Sequence, residues 1–176
     1  QLLGASRKTV IASGILNIWK HEPADVAAWY ADLGEAEKAR ALLGVGVSHG
    51  PIIGEKWVKP LEATSKFLDG LEGAGMAMDH VCLAALGPKM VALSGQRTAG
   101  AHPYLVSPEH TAEARAIMGP DSLLAPEQGV VLETDPVKAR ALAVPLQGVA
   151  ALVVEHMEVV GAQGAAPAHQ VDALDG

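Results

Sequence analysis

The sequence predicts an α/β protein built on a parallel β-sheet. Short apolar runs alternate with segments of helical periodicity along most of the 176 residues. The runs are almost continuously apolar, which is typical of strands buried on both faces. Repeated strand–helix units form right-handed β-α-β connections, and sheets of this kind carry their functional groups at the carboxyl ends of the strands.

Five apolar runs are the predicted strands. The first contains Ser13 and Gly14, a pair that an apolar strand carries where it bulges or where its backbone closely approaches another group. The fifth is followed by a stretch around 151–160 that fits either a sixth strand or an apolar helix. The five runs are residues 9–15, 41–47, 80–86, 101–106 and 129–134.

Prolines and caps predict where the helices begin. A single helix is expected over 22–43 with Pro23 in its first turn, because proline is favoured there. Ser107 is the expected N-cap of a helix that ends at Gly119. Thr134 or Asp135 is the expected N-cap of the last helix. Two further helices are predicted to begin at Pro60 and Pro88.

Charge and composition exclude several classes of function. The net charge is −7 and the Lys and Arg residues form no cluster, so a nucleic-acid surface is not expected. No apolar stretch approaches the ~20 residues that cross a bilayer, and the first residues lack a signal-peptide core. We therefore expect a cytoplasmic protein without a membrane partner. Cys82 is the only cysteine and is predicted to be a small buried residue rather than a reactive thiol.

Two strand exits carry features of a binding site. "GVGVSHGP" (44–51) places Gly44, Gly46 and His49 at the exit of the second strand, which is either a ligand-binding position or a tight turn. At Gly87 and Pro88 the chain leaves a strand and enters a helix, whose free N–H groups suit a phosphate. Glycine and proline are also common in ordinary loops between a strand and a helix, so a phosphate-binding turn and a plain loop are both possible here.

Histidine and tryptophan side chains follow the same strand ends. His49 and His102 lie at the same end of separate strands, where each is either a packed, hydrogen-bonded residue or a catalyst. Asn17 and Trp19 follow the first strand, where Trp19 either lines a pocket or packs in the interior. No metal site is expected, because no spacing of histidines and carboxylates fits one.

Four segments together resemble one known family. They are "TVIASGILNIW", "RALLGVGVSHGPII", "LAALGPKMVALSGQRTAGAHPYLVSPEHTAEARAIMGP" and "LLAPEQGVVLETDPVKARALA". They are similar to the luciferase-like monooxygenase superfamily, in the branch whose oxidoreductases use the deazaflavin coenzyme F420. The resemblance covers residues 1–144 and implies a (β/α)8 barrel of TIM type. It implies an incomplete barrel of about five or six parallel strands, beginning just before the family's third strand. The segment 145–176 is expected to be a divergent, partly disordered C-terminal region.

The resemblance also implies roles for individual residues. The first strand would carry a cis peptide at Ser13–Gly14 or Gly14–Ile15 against the cofactor ring, and Ser48 would face cofactor or substrate. His49 would donate or accept a proton. The residues implied to approach the cofactor are Ser13, Gly14, Ile15, Gly44, Gly46 and Ser48, and those implied to hold its phosphate-bearing tail are Gly87, Pro88, Gly100, Ala101 and His102. The residues assigned to the substrate side are Asn17, Trp19, Glu127 and Gln128.

The function implied is hydride transfer between F420 and a small organic substrate. An FMN-dependent monooxygenase-like protein is the alternative within the same fold. A catalytically inactive partial barrel, acting as a binding or oligomerisation module, is the alternative outside enzymes. A homo-oligomer is expected, because an incomplete barrel leaves parallel strand edges to be paired.

Overall fold

The structure is a computed structural model that describes residues 1–49, 53–54 and 58–146, with side chains as far as residue 143. The chain divides into two compact units, Gln1–Gln128 and Gly129–Gly176. Apart from its first two residues, the predicted C-terminal segment 145–176 lies outside the described residues, as does the stretch around 151–160.

The first unit is built on a curled, all-parallel sheet that forms a half-barrel. The sheet order is β1-β3-β4-β5-β6, with β2 also paired to β3. This arrangement confirms the predicted α/β class and the parallel pairing. The strands are β1 (Ile11–Ala12), β2 (Leu16–Asn17), β3 (Ala41–Gly46), β4 (Val81–Leu83), β5 (Gly100–Ala101) and β6 (Leu123–Leu124).

Helices connect the strands, and several begin at the predicted prolines. In the first unit they are α1 (Leu2–Ala5), α2 (Pro23–Ala31), α3 (Glu35–Lys38), α4 (Pro60–Gly73), α5 (Pro88–Arg97) and α6 (Pro108–Met118), with a 3-10 turn at Met78–His80. The second unit contains α7 (Pro136–Leu146). Both predicted caps form: Ser107 Oγ accepts from the His110 N–H, and Asp135 Oδ1 accepts from the Val137 N–H.

The two faces of the sheet differ in composition. Leu43 and Val45 of β3, with Val81 of β4, pack in one buried apolar cluster with α4 and α5 side chains such as Leu68 and Val91. The opposite face, here called the inner face, carries small residues, because side chains alternate along a strand. The inner face is formed by Gly44, Gly46, Cys82, Ala84 and Gly100.

The first predicted strand is divided by a bulge. Ala12 pairs with Leu42 and Leu16 pairs with Val45, so four steps along this strand match three along β3. One extra residue is therefore accommodated between β1 and β2, within Ser13–Ile15. The bulge is one of the two explanations that the Ser13–Gly14 pair suggested.

Two sequence-based assignments are wrong. The single helix expected over 22–43 is two helices, because the backbone turns at Asp32–Gly34, and its last residues belong to β3. The fifth strand expected over 129–134 does not form. The free edge of β5 is taken by Leu123–Leu124 instead, and Leu132 is fully exposed.

Candidate functional site

His49 and Tyr104 meet at the carboxyl edge of the sheet, after β3 and β5. The Tyr104 hydroxyl lies 2.9 Å from His49 Nε2, and the two rings are nearly perpendicular with centroids 6.0 Å apart. Ser48 and Leu105, which flank this pair in sequence, have φ of 56° and 48°. Left-handed backbone at residues other than glycine is uncommon and is concentrated at functional sites.

His102 follows β5 directly, and its ring lies against Gly44 of β3. A Cβ atom built on Gly44 would lie 2.8 Å from His102 Nε2. That nitrogen is buried and has no hydrogen-bond partner among the described residues. Burial lowers the pKa of His102, and the charge of Glu127 opposes the shift.

The direction of this shift links His102 to stability. Because its pKa is lower in the folded state than in the unfolded chain, the folded protein binds this proton less readily. The stability contributed by neutral His102 is therefore present above the ordinary histidine pKa of about 6.5. It is lost as pH falls from there through the lower folded pKa.

Glu127 is held beside Tyr104 through the backbone. The two residues form an isolated parallel bridge, and the Glu127 N–H donates to the Pro103 carbonyl at 2.7 Å. Burial and then the Glu127 charge raise the pKa of Tyr104, so its phenol stays protonated at neutral pH. Glu127 and the adjacent Gln128 are both exposed.

Trp19 and Asn17 stabilise the loop after β2. The Trp19 indole N–H donates to the Val47 carbonyl at 2.8 Å, and Asn17 Oδ1 accepts from the Trp19 backbone N–H at 2.9 Å. Trp19 also packs against the apolar cluster. Of the two roles that the sequence left open for Trp19, packing is the one that these contacts satisfy.

The bulge lies directly against β3. Ser13 Oγ donates to the Gly44 carbonyl at 3.0 Å, and the Ile15 side chain lies over Gly46, where an added Cβ would be 2.5 Å from Ile15 Cδ1. The peptide between Gly14 and Ile15 is cis. The spaces beside Gly44 and Gly46 thus hold atoms of the protein itself, so both glycines are required by internal packing.

The residues implied to hold a phosphate do not all lie together. Gly87 and Pro88 are exposed at the start of α5, where the Met90 N–H donates to the Gly87 carbonyl. Gly100 and Ala101 lie within β5 instead, away from this edge. A Cβ on Gly100 would overlap the Leu123 backbone, and Ala101 is buried in the helix-side cluster.

Sequence reasoning missed Tyr104 and His110. His110 Nε2 lies 2.7 Å from the Leu86 carbonyl, so it connects the start of α6 to the loop before α5. Tyr104 follows His102 by two residues, and this spacing on a strand exit was the available signal, because residues i and i+2 share a face.

A cavity of about 420 Å³ lies at the amino edge, away from these residues. Its polar groups are already paired within the protein: the Tyr30 hydroxyl donates to the Lys38 carbonyl, and His80 Nδ1 lies 3.3 Å from the Ala41 carbonyl. The carboxyl edge, with its unpartnered nitrogen, is therefore the better candidate site.

Comparisons with protein-family models, curated proteins and solved structures find no match to this chain. Within the described residues, no three His, Cys, Asp or Glu side chains are placed to hold a metal ion. Each helix in that part of the chain is too short or too polar to cross a membrane.

Proposed function

We propose that this chain forms the cofactor-binding part of a luciferase-like oxidoreductase that uses coenzyme F420, on a barrel of the (β/α)8 type. The sequence resemblance over residues 1–144 supports the family. The observation that carries the proposal is the contact between His49 and Tyr104 at the carboxyl edge of one parallel sheet, where α/β proteins bind their ligands, with His102 directly after β5.

The groups at this edge suit a polar heteroaromatic ring. His102 Nε2 is buried without a partner among the described residues, and a buried polar atom of this kind needs a hydrogen bond. Ser48, His49 and Tyr104 add hydroxyl and imidazole groups that can donate or accept. At the start of α5 the Met90 and Val91 N–H groups donate to the Gly87 carbonyl and Pro88 has no N–H, so Gly87 and Lys89 would offer their N–H groups to a phosphate-bearing tail.

The chemistry divides between cofactor and protein. A bound deazaflavin supplies two-electron hydride chemistry, with carbon in place of the flavin nitrogen N5. The residues of this chain orient the ring and the substrate, and His49 donates or accepts the proton that accompanies the reaction. The left-handed backbone at Ser48 and Leu105 holds the His49–Tyr104 pair between two constrained residues.

Titration of the purified chain with F420 and with FMN, followed by absorbance and fluorescence, tests the proposal. Saturable binding of F420 without binding of FMN is expected. Binding of FMN alone would overturn F420 as the cofactor and support the FMN-dependent alternative. Binding of neither would overturn it and favour the inactive module.

A pair of histidine variants locates the binding site. His102→Gln should weaken F420 binding by roughly 2- to 10-fold, the equivalent of one hydrogen bond of about 0.5–1.5 kcal/mol. His80→Gln, at the opposite edge of the sheet, is the matched control and should bind as the unaltered chain does. Equal affinity of both variants would show that the ligand binds elsewhere.

A further inference from the structure

We propose that Tyr104 is a positioning residue that donates its hydroxyl proton to His49 Nε2, so that neutral His49 carries its own proton on Nδ1. The inference deepens the proposed function, on which its catalytic meaning rests. It narrows the role of His49 from proton donor or acceptor to donor through Nδ1–H, because the Tyr104 hydroxyl occupies Nε2. The ligand atom facing Nδ1 would then be an acceptor, such as a carbonyl oxygen or a ring nitrogen.

The hydrogen-bonding needs of the two side chains set the direction of this bond. The Tyr104 hydroxyl has one hydrogen to donate, and His49 Nε2 is its only acceptor within hydrogen-bond distance among the described residues. A buried or half-buried donor is rarely left unpaired, so the hydroxyl hydrogen belongs on the line to Nε2. An imidazole nitrogen that accepts cannot carry a proton, and the second nitrogen must carry it.

The surroundings keep Tyr104 in the form that this role requires. Burial and the Glu127 charge raise the pKa of the phenol, so it remains a donor throughout the neutral range. Glu127 forms a backbone bridge with Tyr104 from the segment after β6, and His102 precedes Tyr104 by two residues, with its ring against Gly44. The nearly perpendicular rings, held between Ser48 and Leu105, fix the geometry of the bond.

The tautomer of His49 can be measured directly in the free protein. The ¹⁵N-labelled full chain is examined by long-range ¹H–¹⁵N correlation at about pH 8. The variant His49→Gln assigns the signals by their loss. We expect a protonated, pyrrole-like Nδ1 and an unprotonated, pyridine-like Nε2.

Two tyrosine variants test the cause. Tyr104→Phe keeps the ring and removes the hydroxyl, and it should shift His49 toward the Nε2-protonated tautomer. Tyr30→Phe removes the other tyrosine hydroxyl of the chain, which bonds to the Lys38 carbonyl, and should leave the His49 signals unchanged. A shift in Tyr104→Phe but not in Tyr30→Phe supports the proposal.

Either of two results overturns it. One is a protonated Nε2 in the unaltered chain, which does not depend on Tyr104→Phe and so holds even if that variant does not fold. The other is an unchanged His49 signal in folded Tyr104→Phe. Because no cofactor is present, this experiment fails independently of the proposed function: a fixed tautomer without F420 binding would refute the function alone, and F420 binding without it would refute the Tyr104 role alone.

Discussion

Replacing Gly44 with alanine should destabilise the protein strongly, because the new methyl group has no space. The Cβ would overlap the carbonyl oxygen of Ser13 and lie 2.8 Å from His102 Nε2. The Ser13 oxygen is backbone and cannot rotate away, so β1 and β3 must separate and the Ser13 Oγ–Gly44 hydrogen bond is lost. Overpacking costs about 1–3 kcal/mol and the lost bond about 1 kcal/mol, which gives roughly 2–4 kcal/mol in the free energy of unfolding.

Urea denaturation followed by circular dichroism measures this loss, and Tm should fall by roughly 4–16 °C. The same substitution at two other glycines provides the controls. Gly46→Ala meets the end of the Ile15 side chain, which can rotate, and the Ala84 Cβ at 3.0 Å, which cannot, so a cost of about 1–2 kcal/mol is expected. Gly73→Ala, with no atom within 4 Å at the end of α4, should stabilise by up to about 1 kcal/mol. Gly44→Ala as stable as the unaltered chain would refute the close approach of β1 to Gly44.

Three further predictions concern the core, pH and the thiol. Leu68→Ala, at a fully buried position of α4, should lower the free energy of unfolding by about 2–5 kcal/mol. Leu61→Ala, on the exposed side of the same helix, should change it by no more than about 0.5 kcal/mol. Equal urea midpoints of the two variants would contradict the assigned packing. Because burial lowers the pKa of His102, the urea midpoint should fall as pH drops below about 6.5, and less steeply in His102→Gln. Parallel pH profiles of the two proteins would count against a buried neutral His102. Burial raises the pKa of Cys82 to about 11, so native labelling by iodoacetamide should be at least about 100-fold slower than after unfolding, and comparable rates would place the thiol at the surface.

The sequence predicted helix starts well because their signals are local. Ser107 caps α6 through the N–H of His110, three residues away, and Pro60, Pro88 and Pro108 each occupy a first turn. Strand assignments depended on pairing, which is not local. The apolar run 129–134 lacks a paired neighbour, whereas two leucines at 123–124 occupy the edge of β5 and are too few to form a detectable pattern.

The candidate site was predicted in part for the same reason. The rule that parallel strands present their carboxyl ends at one edge pointed to His49 and His102. The partner of His49 could not be predicted, because Tyr104 lies 55 residues further along the chain and reaches His49 only through the β3-β4-β5 order. The surroundings of Gly44 and Gly46 could not be predicted either, because the sequence shows only that a side chain is absent. The fold shows that atoms of Ser13, Ile15 and His102 lie in the adjoining space.

The extra residue between β1 and β2 reverses which positions of this strand face the helices. Ile11, paired with Ala41, is on the helix side, and an unbroken register would place Ile15 there beside Val45. Leu16 takes that position instead, and Asn17 pairs with Gly46 on the inner face. Without the bulge, and with every residue kept, Asn17 would lie opposite Val47 and its amide would turn toward the apolar cluster. Deleting one residue from Ser13–Ile15 would instead match three steps with three and leave Asn17 opposite Gly46. The bulge therefore determines on which face of the sheet Asn17 lies, and it keeps this polar residue on the inner face and away from the apolar cluster.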